Sequence, residues 1–163
     1  MTAVSNTSPL RYLIVIGRAD LVQHIFGSVL IPRGVEQELT DPSTPEAVRQ
    51  WMARRPAWLE IRDLPQPPGP ELTRRLDRRE AEAIQLAIDL RAEFLLIDER
   101  RGRQMATARG ATVIGALGIL LESFRQGLIR NPFDILAQLR ASRFRVSRRL
   151  VREFEEQIRL MEV

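Results

Sequence analysis

Asp98 stands directly after the apolar run Phe94-Leu95-Leu96-Ile97, and Asn6 directly after Ala3-Val4-Ser5. In open parallel α/β sheets ligands bind at the carboxyl ends of the strands, so a polar group there faces whatever fills the crevice. Two further carboxylates sit on predicted helices that can reach the same rim. Glu38 lies near the end of a helix opened by Pro32, and Glu80 lies in the first turns of a helix starting near Arg78. Glu82 is two residues on and points about 200° away around that helix, so Glu80 and Glu82 cannot both face one site. Glu80 is one turn before Ala83 and Ile84 and shares their inward stripe. Carboxylates converging on one rim repel each other unless a cation lies between them. Oxygen ligands without histidine or cysteine suit Mg²⁺ or Mn²⁺. Such ions activate water and stabilise in-line attack at a phosphodiester.

Each of these residues also has a local role open to it. Asp98 could cap the helix that follows, and Glu80 could be a helix-start charge favoured by the dipole. Glu38 could be a solvated residue beside Glu36, and Asn6 a turn residue after a strand. The set in order says more than any one position.

The elements that must position these groups alternate. Ala3 to Ser5, Ser28 to Ile31, Trp58 to Ile61, Phe94 to Ile97 and Thr112 to Ile114 read as strands. Pro9 to Gly17 reads as a buried helix with Ser8 as its N-cap and Pro9 at the first helical position. Asp20 to Phe26, Pro32 to Leu39, Thr44 to Arg55, Arg78 to Arg91, Glu99 to Arg109 and Ala116 to Gln126 read as further helices. Asp63 to Pro70 reads as a loop, because its prolines and glycine exclude regular structure. Continuous apolar strands alternating with helices indicate a parallel sheet covered on both faces, an α/β fold. Residues 1–130 form the expected catalytic domain. Residues 131–163 form an arginine-rich helical extension, with helices over Pro132 to Ser142 and Ser147 to Met161, packing on the same domain.

Composition narrows the chemistry. The chain has 163 residues and a 44% apolar share, enough for one core. There is no cysteine, which excludes disulfides, thiolate metal sites and cysteine nucleophiles. The single histidine, His24, argues against His-rich zinc sites and a Ser-His-Asp triad. All 25 basic residues are arginine, for a net charge of +4. Compositional bias explains this; a surface that holds phosphates through bidentate guanidinium contacts explains it too. The absence of lysine also counts against a phosphate-transfer receiver domain, which likewise sets aspartates at strand ends. No segment approaches the roughly 20 apolar residues of a membrane span. Met1 to Ser5 carries no signal-type pattern. The expected compartment is the cytoplasm.

The segments Ser5-Asn6-Thr7-Ser8-Pro9-Leu10, Val35-Glu36-Gln37-Glu38-Leu39, Arg79-Glu80-Ala81-Glu82-Ala83-Ile84-Gln85-Leu86-Ala87 and Leu95-Leu96-Ile97-Asp98-Glu99-Arg100-Arg101-Gly102 resemble the PIN (PilT N-terminus) family. They look like its small subgroup with an "SDTSPL … EEL … GEAEAI.LA … LLIDERRGR" pattern. The likeness continues through Thr112 to Leu121 and covers roughly residues 3 to 130, with a similar Phe144-Arg145-Val146-Ser147 in the tail. The resemblance implies a Rossmann-like α/β/α sandwich and a Mg²⁺- or Mn²⁺-dependent endoribonuclease. It further implies the toxin of a toxin–antitoxin pair, homodimeric and held inactive by its antitoxin. Carried over by position, the catalytic set is Asn6, Glu38, Glu80 and Asp98, with Asn6, Glu80 and Asp98 on the metal. Ser8, Arg100 and Arg101 are expected to touch RNA.

Two positions depart from the pattern. Arg79 stands where glycine usually precedes the third acid, at an exposed helix start. Asn6 stands where the family has aspartate. An amide keeps one acceptor oxygen but removes a full charge and adds an NH₂ donor. Asn6 is then an introduced or a native weakening of a nuclease. The alternative is a catalytically inactive module on the same fold that binds RNA or protein, with the arginine tail and Arg100, Arg101 and Arg103 on the phosphate backbone.

Overall fold

Short apolar runs at regular spacing build the sheet. In the computed structural model, which describes residues 1–162, the strands are β1 (Ala3–Ser5), β2 (Val29–Pro32), β3 (Leu59–Arg62), β4 (Phe94–Leu96) and β5 (Val113–Ile114). All pairings are parallel, and the order across the sheet is β3-β2-β1-β4-β5. Strands are added outward from β1 in one direction through β3, and then in the other through β4 and β5. The switch point lies between β1 and β4, where a crevice opens at the carboxyl ends. Ser5 pairs with Leu96. Asn6 therefore lies level with Ile97, and Asp98 one residue beyond.

The helices are α1 (Thr7–Val15), α2 (Asp20–Phe26), α3 (Arg33–Leu39), α4 (Glu46–Ala53), α5 (Pro70–Thr73), α6 (Arg78–Asp89), α7 (Arg100–Ala108), α8 (Ala116–Arg125), α9 (Pro132–Ala141) and α10 (Arg148–Met161). Side chains alternate across each strand, and both faces are apolar. Ala3, Val29, Ile31 and Leu96 face a large core with Leu10, Leu13, Phe26, Ile119 and Leu120. Val4, Leu30, Leu95 and Ile97 face a smaller one with Ile84, Leu86 and Ala106. The result is a three-layer α/β/α sandwich, the expected fold class. The tail is part of it. α9 and α10 pack on α8, and Leu139, Phe144, Phe154 and Ile158 are buried in the larger core.

Two local expectations change. α1 begins at Thr7 with Asn6 as its N-cap residue, so Ser8 and Pro9 lie inside the first turn. Ser8 is free to begin nothing because its hydroxyl is used elsewhere, as described below. The proline-rich loop ends one residue early: Pro70 sits at the first position of the short helix α5, where its missing N–H costs nothing. Among the described residues no helix is long and apolar enough to cross a membrane.

Candidate functional site

Asn6 is only 2% exposed and starts α1 at the end of β1. Its backbone N–H continues the β1–β4 ladder by donating to the Leu96 carbonyl at 2.9 Å. Its side-chain Nδ2 donates to Glu99 Oε2 at 3.2 Å. Ser8, in the first turn of α1, donates its hydroxyl to Glu99 Oε1 at 2.5 Å. Glu99 thus draws together the start of α1 and the start of α7, whose N-cap position it holds. Sequence reasoning passed over Glu99 in favour of Asp98. The available signal was an amide and a hydroxyl flanking Thr7, both donors that need an acceptor.

Asp98 acts across the crevice. Its Oδ1 accepts the Ala116 N–H at 2.7 Å, so it caps α8, 18 residues on, and not α7. Its Oδ2 is buried with no hydrogen-bond partner, and so is Asn6 Oδ1. Burial pushes the Asp98 carboxyl up to about 6, and the Glu99 charge adds to this against the Ala116 N–H and Arg103.

Glu80 sits in the first turn of α6, 8% exposed. It forms a capping box with Asp77. Asp77 Oδ1 accepts the Glu80 N–H at 2.9 Å, and Glu80 Oε2 accepts the Asp77 N–H at 3.2 Å. Burial, then the charges of Asp77 and Glu99, raise the Glu80 carboxyl to about 7. Gly102 lets α7 lie close by: a Cβ there would fall 3.5 Å from Glu80 Oε1 and 2.7 Å from the Ile97 side chain. Glu82 is equally buried but turns to α3, against Gly34, and pairs with Arg78 at 2.9 Å. The two carboxylates face different neighbours, as their helical spacing requires. Asp77→Ala is expected to remove the box and cost about 1 kcal/mol in urea unfolding, the usual loss for an N-cap.

Glu38 is not among the charges that raise Glu80 or Asp98. It is ion-paired to Arg79, the residue that replaces the family's glycine. Of the arginines expected to touch RNA, Arg101 donates to the Arg75 carbonyl at 3.3 Å, and Arg100 is exposed. Arg103 donates to the Ile97 carbonyl at 3.3 Å beside Asp98.

The sequence profile of a family described as a PIN domain matches residues 2–159. The chain belongs to the PIN-domain family. The match runs through α9 and most of α10, so the tail belongs to the family's own pattern. Among solved structures, the fold is similar to a PilT N-terminus domain protein from the hyperthermophilic archaeon Sulfolobus solfataricus P2. The TM-score is 0.54 at 19% identity, over 76% of this chain and 93% of that one. A search of curated proteins finds no match.

PIN domains are generally nucleases that use divalent metals. The residues of this PIN domain suit a hard cation in one respect and resist it in another. Asn6 Oδ1 and Asp98 Oδ2 are buried acceptors with no donor, which is the state of an oxygen awaiting a cation or water. Among the described residues, however, no three acidic or histidine side chains gather closely enough to enclose a metal ion. Mg²⁺ does not need such a cage, since it keeps several waters and is commonly held by one or two carboxylates. The donor set therefore fits Mg²⁺ or Mn²⁺ held openly at the switch point.

Proposed function

We propose that this PIN domain is a Mg²⁺- or Mn²⁺-dependent endoribonuclease of the cytoplasm, the toxin of a toxin–antitoxin pair, weakened by Asn6. The reading further takes it as a homodimer restrained by an antitoxin protein. The observation that carries the nuclease reading is the pair of donorless buried oxygens, Asn6 Oδ1 and Asp98 Oδ2, at the ends of the neighbouring strands β1 and β4. The Glu99 charge helps to raise both Glu80 and Asp98, which brings two further carboxylates to the same region.

Asn6 and Asp98 would hold the ion directly through their unpartnered oxygens, and Glu80 and Glu99 would reach it through its waters. When bound it would polarise a phosphodiester oxygen and activate a water at neutral pH. The chain's own groups fix the geometry. The Ala116 N–H anchors one oxygen of Asp98 and leaves the other, buried and unpartnered, for the ion. The capping box restricts the Glu80 rotamer. Ser8 and Asn6 hold Glu99 from the α1 side. Glu38, paired to Arg79, serves the substrate side of the site. Arg100 stands exposed at the start of α7 for the RNA backbone.

The test is cleavage of a single-stranded RNA with Mn²⁺ and with EDTA, by this chain and by Asn6→Asp, with Asp98→Asn as the control that keeps the cap. Metal-dependent cleavage by Asn6→Asp, lost in the control, is expected. Its absence from both chains would overturn the reading.

One observation favours the inactive binding module instead. The Asn6 amide and the Ser8 hydroxyl already satisfy both oxygens of Glu99 by hydrogen bonds, so that carboxylate has donors without a cation. Arg140, Arg143, Arg145, Arg148, Arg149 and Arg152 are all exposed along the tail. RNA binding that weakens steeply with salt and is unchanged by Glu80→Ala would select that reading.

A further inference from the structure

Beside the acidic site lies a polar recess of about 430 Å³, within the size range of small-ligand pockets. It is lined from α1 by Arg11, from α3 by Gln37 and Glu38, from the following turn by Asp41 and Thr44, and from α6 by Arg79. Arg11 is one turn beyond Ser8, and Arg79 adjoins Glu80, so the recess shares two walls with the site. Its acidic wall is pre-set. Asp41 Oδ1 accepts the Ser43 N–H at 2.8 Å and the Ser43 hydroxyl at 2.6 Å. These bonds hold the Asp41 carboxyl below its usual range, so it stays an acceptor. Thr44 Oγ1 donates to the Glu38 carbonyl at 2.6 Å and ties the turn to α3.

Several groups in the recess are left over. Among the described residues the Arg11 guanidinium makes no ion pair or hydrogen bond, and neither does the Gln37 side chain. Asp41 Oδ2 has no partner, and Glu38 Oε1 has none while Oε2 faces Arg79. Arg11 and Arg79 balance Glu38 and Asp41, so the recess carries no net charge. A phosphate gains little from such a site. A group with acceptors on one edge and adjacent donors on the other gains much.

Resting on the nuclease reading above, we propose that this recess binds a guanine base of the RNA strand and gives cleavage a preference for guanosine. Guanine offers O6 and N7 to a guanidinium, the commonest specific base contact of arginine. Its N1–H and N2–H₂ donors suit the free carboxylate oxygens of Asp41 and Glu38, which can only accept. Adenine, cytosine and uracil each lack that pair of neighbouring donors.

The experiment titrates GMP, AMP, CMP and UMP into the full chain in EDTA and follows binding by NMR shift changes. GMP is expected to bind at least about tenfold more tightly than the others, toward the low end for a bidentate base contact. Asp41→Asn is expected to erase that preference. Its Oδ1 can still accept from Ser43 while its Nδ2 turns a donor toward the guanine donors. A thermal melt checks that the variant is folded. Arg11→Ala is expected to weaken GMP selectively. Equal binding of all four, lost equally in Arg11→Ala, would mean phosphate contact only and would overturn the proposal, as would no binding. The two readings fail separately. GMP preference without metal-dependent cleavage removes the nuclease and leaves the recess. Cleavage indifferent to guanosine, with equal nucleotide binding, does the reverse.

Discussion

Asn6→Asp is expected to make the protein less stable without metal and more responsive to it. Without metal, a carboxylate replaces an amide that is 2% exposed and donates to Glu99. The hydrogen bond becomes a repulsion between two poorly solvated charges. The cost should be roughly 2 kcal/mol, a loss of about 5 °C in Tm for a chain of this length. With Mn²⁺ or Mg²⁺ the sign reverses. A unit charge pair at about 4 Å is worth about 4 kcal/mol at an effective dielectric of about 20, and the ion carries two charges. Desolvation takes back part of this. A net gain of about 3 kcal/mol corresponds to about hundredfold tighter metal binding. Melting curves in EDTA and in Mn²⁺, together with RNA cleavage at subsaturating Mn²⁺, read both halves. An Asn6→Asp chain that melts and cleaves like its parent at every Mn²⁺ concentration would sink the metal-site assignment.

Raising the pH from about 4 to about 8 is expected to destabilise the metal-free protein. Glu80 and Asp98 are held up to about 7 and about 6, chiefly by burial. Unfolded, both would titrate near 4. The native state therefore binds more protons than the unfolded state across this window, and stability falls as pH rises. The contribution is complete below about pH 4 and is lost as the pH passes through 6 and 7. The two shifts together correspond to about 6 kcal/mol for groups fully shielded from water; with solvent screening, a fall of at least about 2 kcal/mol, about 5 °C, is expected in EDTA. Mn²⁺ should reverse the slope, since it favours the ionised forms. Asp98→Asn should flatten the profile from its own share, keep the Ala116 N–H bonded through the amide oxygen, and blunt the Mn²⁺ response. A profile that rises between pH 5 and 8 in EDTA would contradict the assigned environments.

Much of the fold could be read from one sequence because its signals are local. The runs Phe94-Leu95-Leu96 and Val29-Leu30-Ile31 are apolar at every position, which marks a strand buried on both faces. The stripe Ala83, Ile84, Ala87 marks α6. What stayed hidden depends on residues far apart in the chain. Ser8 before Pro9 has the local look of an N-cap, but a partner 91 residues away takes its hydroxyl and α1 starts at Thr7. Asp98 looks like a cap for the next helix, yet it caps α8 instead. Glu38 belongs to the ordered set of acids, but its pairing with Arg79 is a contact between α3 and α6 that spacing does not reveal. The short helix α5 was masked by the prolines around it, of which Pro70 serves as its start.

The bond between Asp98 and Ala116 has a practical consequence. A carboxylate accepting a backbone N–H at 2.7 Å should shift that amide proton well downfield and slow its exchange with solvent. The other oxygen of the same carboxylate is buried with no hydrogen-bond partner. Whatever draws charge from that oxygen must weaken the bond on the far side. The Ala116 resonance then becomes a built-in gauge of the crevice. It sits on a helix that also carries α9 and α10, so a perturbation at the strand ends can be followed, amide by amide, out to the last turn of the chain.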